Sequence, residues 1–367
     1  MEIKELGEFG LIDRIARSFT NNNPSTVLGI GDDAAVINAG DNHTLVTTDM
    51  LMEGINFDLT YIDMEHLGYK AAVTGISDIL AMNGTPTQLL VSVALGKRFK
   101  VEDVDALYNG IRRACDKWHV DLVGGDTSAS YTGLAITVTA MGLCKPGDEV
   151  KRSGANVTDI VCVTGDLGAA YMGLQLLERE KSVYYGKLAD LNKKMKEAEA
   201  KGDKEKLQQF TRQRSELNDF QPDFAGREYL LQRELQPEAP SWILEKLREA
   251  GVKPTAMMDI TDGLSSELHH ICSQSHCGCR IYENKLPIDY QTAVMAEELN
   301  MNVSTCALNG GDDYEMLFTV PVGDYEKVKG IDGLHQVGYI TKEELGMKLV
   351  TRDGNEFDLT AQGWKAE

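Results

Sequence analysis

The sequence predicts a mixed α/β (α+β) protein of two domains, and three observations carry that expectation. Strand-like apolar runs alternate with segments of helical period along the chain. At 367 residues the chain exceeds one ordinary domain, and 42% hydrophobic residues can fill globular cores. The stretch Lys151-Arg152-Ser153-Gly154-Ala155 separates one such succession from the next, which sets an N-terminal domain at 1–150 and a C-terminal domain at 151–367.

Taken in order, residues 7–19 place apolar side chains at helical spacing and stop at Asn21-Asn22-Asn23-Pro24. Gly29-Ile30-Gly31-Asp32-Asp33-Ala34 follows, a tight turn from which two adjacent carboxylates project. Such neighbours repel unless solvent or a divalent cation screens them. Gly29, Gly31 and Ala34 also fit the dinucleotide pattern G-x-G-x-x-A, with Asp49 near the ribose-binding distance. No crossover helix fits before the next strand, and Asp32 and Asp33 would repel a pyrophosphate, so a nicotinamide site is set aside.

Residues 44–49 read as a strand ending in Thr47, Thr48 and Asp49, and residues 65–82 as a helix containing Ser77-Asp78. An Asp lowers helix propensity, so Asp78 is either solvated or a metal ligand. A strand at 88–95, a helix at 101–118 and a short strand at 120–123 lead into Gly124-Gly125-Asp126-Thr127-Ser128, read as a turn. Paired glycines there can bring backbone N–H groups to a phosphate chain, although a plain hairpin turn has the same look. A third long strand is expected at 134–143.

The second half opens with a strand at 159–164 and a helix at 169–179. Residues 180–220 are charged, mixed in sign and poor in large apolar groups, the composition of an inserted helical hairpin turning near Gly202-Asp203. After a helix at 241–250 and a strand at 255–258 comes a second acidic turn, Asp259-Ile260-Thr261-Asp262-Gly263. His269, His270, Cys272, His276, Cys277 and Cys279 follow, but their spacing fits no zinc pattern, and the segment reads as a helix running into a strand at 279–282. Asn309-Gly310-Gly311-Asp312-Asp313-Tyr314-Glu315 is a third glycine-acid turn, before a strand at 316–320.

A net charge of −20 disfavours nucleic acid and anionic membranes as partners, and implies metal ions for any phosphate chemistry. No stretch has the length to span a bilayer and no leader is apparent at the N-terminus, so a cytoplasmic location is expected. Seven scattered cysteines read as reduced thiols. The repetition of carboxylates beside glycine in both halves suggests one acidic cleft holding several Mg2+ ions for phosphoryl transfer. No G-x-x-x-x-G-K-[ST] occurs, which excludes a P-loop enzyme.

An ordered set of motifs then makes the chain recognisable. These are residues 7–12 (Gly-Glu-Phe-Gly-Leu-Ile), 29–34, 47–54 (Thr-Thr-Asp-Met-Leu-Met-Glu-Gly), 77–84 (Ser-Asp-Ile-Leu-Ala-Met-Asn-Gly), 124–127, 152–155, 259–264 and 310–315. On them the chain resembles the thiamine-monophosphate kinase family of the aminoimidazole-ribonucleotide synthetase-like (PurM-like) superfamily. The resemblance covers nearly the whole chain except the insertion at about 180–220.

The resemblance implies a PurM-like fold whose N-terminal domains share a β-barrel in a homodimer. It also implies ATP-dependent phosphorylation of thiamine monophosphate. By the same carry-over the metal ligands are Asp33, Thr47, Thr48, Asp49, Asp78, Asp126, Asp259 and Asp262, and the ATP contacts Gly125, Asp126, Arg152 and Thr261. Asn56, Asp312 and Trp364 take the substrate-binding positions. Asn56 stands where the family often has His, and Asp312 where it usually has Glu; the family's arginine after the second proline is missing beyond Pro240. No catalytic base is assigned, because the attacking phosphate oxygen is already ionised. The alternative is another ATP-dependent enzyme of the superfamily, of the aminoimidazole ribonucleotide or selenophosphate synthetase type. A non-catalytic Mg2+- or nucleotide-binding dimer is the reading from outside enzymology.

Overall fold

The computed structural model describes residues 24–217 and 222–361. The helix expected at 7–19 and the candidate residue Trp364 lie outside the described residues.

Residues in the first half build a six-stranded sheet from β1 (Thr26–Leu28), β2 (Ala35–Asn38), β3 (His43–Met52), β4 (Thr85–Leu95), β5 (Asp121–Ala129) and β6 (Ala135–Cys144). Their order is β1-β2-β3-β6-β4-β5. Helices α1 (Met64–Ala81) and α2 (Val101–Trp118) cover one face, with α1 lying against β3, β4 and β6. The two helices touch through glycines: a Cβ on Gly110 would sit 1.8 Å from the Glu65 carbonyl oxygen. Because β2 follows the first acidic turn at once, no crossover helix starts there, as the rejection of a nicotinamide site requires.

Alternation along β3 sends Leu45, Thr47, Asp49 and Leu51 toward α1 and sends Val46, Thr48, Met50 and Met52 to the other face. No helix among the described residues covers that second face, and Met50 there is 63% exposed.

The second sheet has the order β13-β12-β9-β11-β7-β10-β8. Its strands are β7 (Ile160–Thr164), β8 (Ala256–Asp259), β9 (Cys277–Tyr282), β10 (Met316–Val320), β11 (Leu334–Lys342), β12 (Met347–Val350) and β13 (Glu356–Asp358). Helices α3 (Ala169–Ala200), α4 (Lys204–Glu216), α5 (Glu228–Leu235), α6 (Trp242–Glu249), α7 (Leu264–Ser275), α8 (Tyr290–Glu298), α9 (Val303–Asn309) and α10 (Tyr325–Val328) accompany it. One buried cluster joins the first sheet to α6 and β10 through Ile243, Leu244, Met316 and Phe318, and the Trp118 indole N–H donates to the Ala239 carbonyl at 3.2 Å. No described helix is long and apolar enough to cross a membrane.

Three expectations are corrected. Gly124-Gly125-Asp126-Thr127-Ser128 is not a turn: it lies inside β5, Gly125 facing Val91 and Asp126 facing Ser92 in the parallel ladder with β4. Pairing with a long neighbour overrides the turn propensity of a glycine pair. The helix expected to stop at Arg179 continues as α3 to Ala200, because residues 180–200 are rich in Glu, Lys, Leu and Ala and no proline breaks them. The hairpin then turns at Gly202 as expected, and α4 buries none of its residues. Finally, β9 begins at Cys277, two residues early, with His276 in the left-handed conformation (φ 51°) closing α7. Cys277 and Cys279 are buried strand residues, and no metal cluster among the described residues includes a Cys or His.

Candidate active site

A cleft of about 1510 Å³ opens between the two sheets, and both halves line it. Asp33 enters from the first acidic turn, Asp78 from the last turns of α1, and Asp259 from the end of β8. One ligand atom from each lies within 4.8 Å of the others. Asp49, from β3, lines the same cleft.

Each carboxylate is held from behind. The Thr47 hydroxyl donates to Asp78 Oδ2 at 2.5 Å, and the Ser77 hydroxyl donates to Asp259 Oδ2 at 2.5 Å. Arg152 donates to Asp33 Oδ1 from Nε at 3.1 Å and from Nη2 at 2.5 Å, while its backbone N–H faces the Asp32 carboxylate at 3.3 Å. The remaining oxygens of Asp33 and Asp49 (Oδ2 in both) are buried without a hydrogen-bond partner.

Unpaired buried carboxylate oxygens are costly, and like charges at this spacing add to the cost. Burial first, and then Asp33, push Asp259 up to about 7. Burial likewise lifts Asp49 to about 6, with Asp33 adding to it. Burial and the Asp49 charge hold Asp78 well above the usual carboxylate range. A divalent cation offsets all of these, and oxygen-only donors suit Mg2+. The residues present therefore fit the metal the sequence implied.

The folded chain thus keeps protons on Asp49 and Asp259 at pH values where the unfolded chain has released them. Metal-free stability should fall as pH rises from about 4 toward about 7. We expect Mg2+ to raise Tm more at about pH 7.5 than at about pH 5.5 in calorimetry. An equal or smaller gain at the higher pH would sink the assignment.

The other expected residues divide. Thr261 and Asp262 line the cleft, their backbone N–H groups donating to Glu267 Oε1 at 3.2 and 2.8 Å. Thr48 also lines the cleft, but its hydroxyl donates to the Val138 carbonyl at 3.1 Å, on the sheet face that carries Met50. Asn56 lines the cleft in a turn where its Oδ1 accepts from Met52 N–H at 2.9 Å. Asp312 reaches the cleft with φ +56°, whereas its neighbour Asp313 is buried and accepts from Gly168 N–H. Gly125 and Asp126 do not line the cleft; β5 is an exposed edge strand.

Sequence reasoning missed Lys70, Glu234 and Ser77. Lys70 and Ser77 belong, with Thr74 and Asp78, to a polar stripe at i, i+4, i+7 and i+8 on an otherwise apolar helix, a signal that was readable. Nothing in the local sequence of α5 marks Glu234.

Residues 31–144 match the N-terminal domain of AIR synthase related proteins, and residues 210–348 match the C-terminal domain of the same group. A thiamine-monophosphate kinase of Bacillus subtilis is 31% identical over 365 residues, covering 98% of this chain and 99% of its own. One from Aquifex aeolicus is 32% identical, covering 88% of each chain. The structure of AaThiL complexed with AMPPCP and TMP is similar across 100% of this chain and 99% of its own, at 30% identity and a TM-score of 0.78. Hydrogenase maturation protein HypE, at 16% identity and a TM-score of 0.63, shares the fold. With two domain models matched in order and full-length relatives above 30% identity, the chain belongs to the thiamine-monophosphate kinase family.

Proposed function

We infer that this protein transfers the γ-phosphoryl group of ATP to the phosphate of thiamine monophosphate, releasing thiamine diphosphate and ADP. The observation that carries the reading is the convergence of Asp33, Asp78 and Asp259 on one cleft between the two sheets. When bound there, Mg2+ neutralises phosphate oxygens and draws charge from the transferred group. Asp33, Asp49, Asp78 and Asp259 hold that charge in place, with Thr47 and Ser77 fixing two of them. Arg152 lines the cleft with Nε and Nη2 engaged by Asp33 Oδ1, and its positive charge draws phosphate oxygens to that wall. No side chain need remove a proton, so positioning and charge neutralisation carry the rate.

Asp312 offers a carboxylate to the cationic thiazolium ring, and Asn56 a polar side chain, both from the lining of the cleft. Trp364 is proposed to add an aromatic face to that ring. The decisive experiment is ADP release with thiamine monophosphate as acceptor, and with a ribonucleotide or selenide in its place. Release only with the latter moves the protein to a synthetase of the same superfamily; release with none leaves a binding scaffold.

We also propose a cytoplasmic homodimer, with the chain dividing near residue 150. The uncovered face of the first sheet supports the pairing: Met50, Met52 and Leu143 are exposed there on adjacent strands. Met50→Asp should give a monomer in sedimentation, where the parent chain sediments as a dimer. An unchanged sedimentation coefficient would remove this face from the interface.

A further inference from the structure

Helix α1 touches the opposite half of the molecule at two points. Ser77 binds Asp259 beside the metal cluster, and Lys70, two turns earlier and about 10 Å away along the axis, enters a second set of carboxylates. Lys70 Nζ donates to Glu234 Oε1 at 2.8 Å and to Asp312 Oδ2 at 3.2 Å. Side-chain exposure is 4% for Lys70 and 7% for Glu234, but 39% for Asp312. The Tyr314 hydroxyl reaches the other Asp312 oxygen at 3.3 Å. Asp312 is thus gripped from below and open to the cleft above.

We propose that Lys70 and Glu234 are positioning residues that set the place and net charge of Asp312 as receptor for the cationic ring of the substrate. The proposal rests on the kinase reading above. A lysine alone beneath Asp312 would cancel its charge. Burial pushes Glu234 up to about 7 even beside Lys70. Above that pH, where KM is to be measured, Glu234 offsets Lys70, so the three groups together keep one negative charge, and only Asp312 exposes it. Glu234 Oε2, buried and without a hydrogen-bond partner, is what remains of a carboxylate kept for its charge. Burial lowers the basicity of Lys70, but the two carboxylates outweigh it and keep the ammonium protonated.

Charge counting makes the test specific. Lys70→Met leaves two facing carboxylates, and Glu234→Gln leaves a neutral pair; both should raise KM for thiamine monophosphate about ten- to a hundredfold, with KM for ATP nearly unchanged. The double variant Lys70→Met/Glu234→Gln restores a single negative charge and should bring KM for thiamine monophosphate back toward the parent value. A merely structural ion pair predicts the reverse, a double variant at least as impaired as either single one. If Lys70→Met does not fold, the isosteric Glu234→Gln decides alone. Unchanged KM values in the singles, equal rises for both substrates, or no recovery in the double overturns the proposal. Failure of the parent protein to phosphorylate thiamine monophosphate is a separate result, and it removes the kinase reading and this inference with it.

Discussion

Asp49→Asn is expected to lower kcat by about a thousandfold or more while leaving the metal-free protein at least as stable as the parent. The two effects have opposite signs for one reason. Asp49 Oδ2 is buried with no donor, and burial with the Asp33 charge lifts the group to about 6, so near neutral pH the folded chain carries an unfavourable anion. An amide of the same shape removes that cost and also removes a donor to Mg2+. Tm without metal should hold or rise, and the further gain on adding Mg2+ should shrink.

Asp313→Asn makes the contrast. Its carboxylate accepts both contacts from Gly168 N–H and lies beside Arg233, which bridges to Glu315 at 2.9 Å. Burial pushes Asp313 up to about 8, so the amide removes a similar cost near neutral pH and metal-free Tm should again hold or rise, but Asp313 lies outside the carboxylate cluster and the Mg2+ response should stay in place. A near-normal kcat in Asp49→Asn would remove this carboxylate from the chemistry.

The sequence disclosed those parts of the site that sit where strands end. Asp259 closes β8 and Asp33 follows β1 through a glycine turn, and these meet in the cluster, whereas Asp49 lies within β3, which continues to Met52 beyond the strand end expected at Asp49. Asp78 stood out because an Asp is unfavourable inside a helix, and the structure places it beside Asp33 and Asp259. Local pattern could not resolve Gly124-Gly125-Asp126, since a glycine pair favours a turn until a partner strand claims it, and the partner β4 lies some 35 residues away. Nor could it pair Lys70 with Glu234, 164 positions apart and in different halves of the chain. Such pairings are set by the docking of whole sheets, which no window of sequence contains. Asp312 and Asp313 show the same limit at one residue's scale: adjacent and identical, they point one to the cleft and one to the core because Asp312 takes a left-handed backbone.

Asp126 leads to the second large effect. Following the ladders across the first sheet, Asp49 faces Val138, Val138 faces Val91, and Val91 faces Gly125. Three strand spacings put the Gly125-Asp126 backbone about 14 Å from Asp49, beyond shared coordination of one ion. β5 is exposed along its whole length and forms the outer edge of the sheet proposed to pair with a second copy. We therefore expect Asp126 to serve the cleft of the other subunit in the dimer.

Asp126→Asn should then be as inactive as Asp49→Asn when each is assayed alone. Mixed after joint unfolding and refolding, the two variants should recover about a quarter of parental kcat, since half the dimers are mixed and each of those has one intact site. If Asp126 instead acts within its own chain, every site in the mixed dimer carries one defect and no activity returns. Full activity of Asp126→Asn on its own would take this residue out of the mechanism and leave the metal to Asp33, Asp49, Asp78 and Asp259.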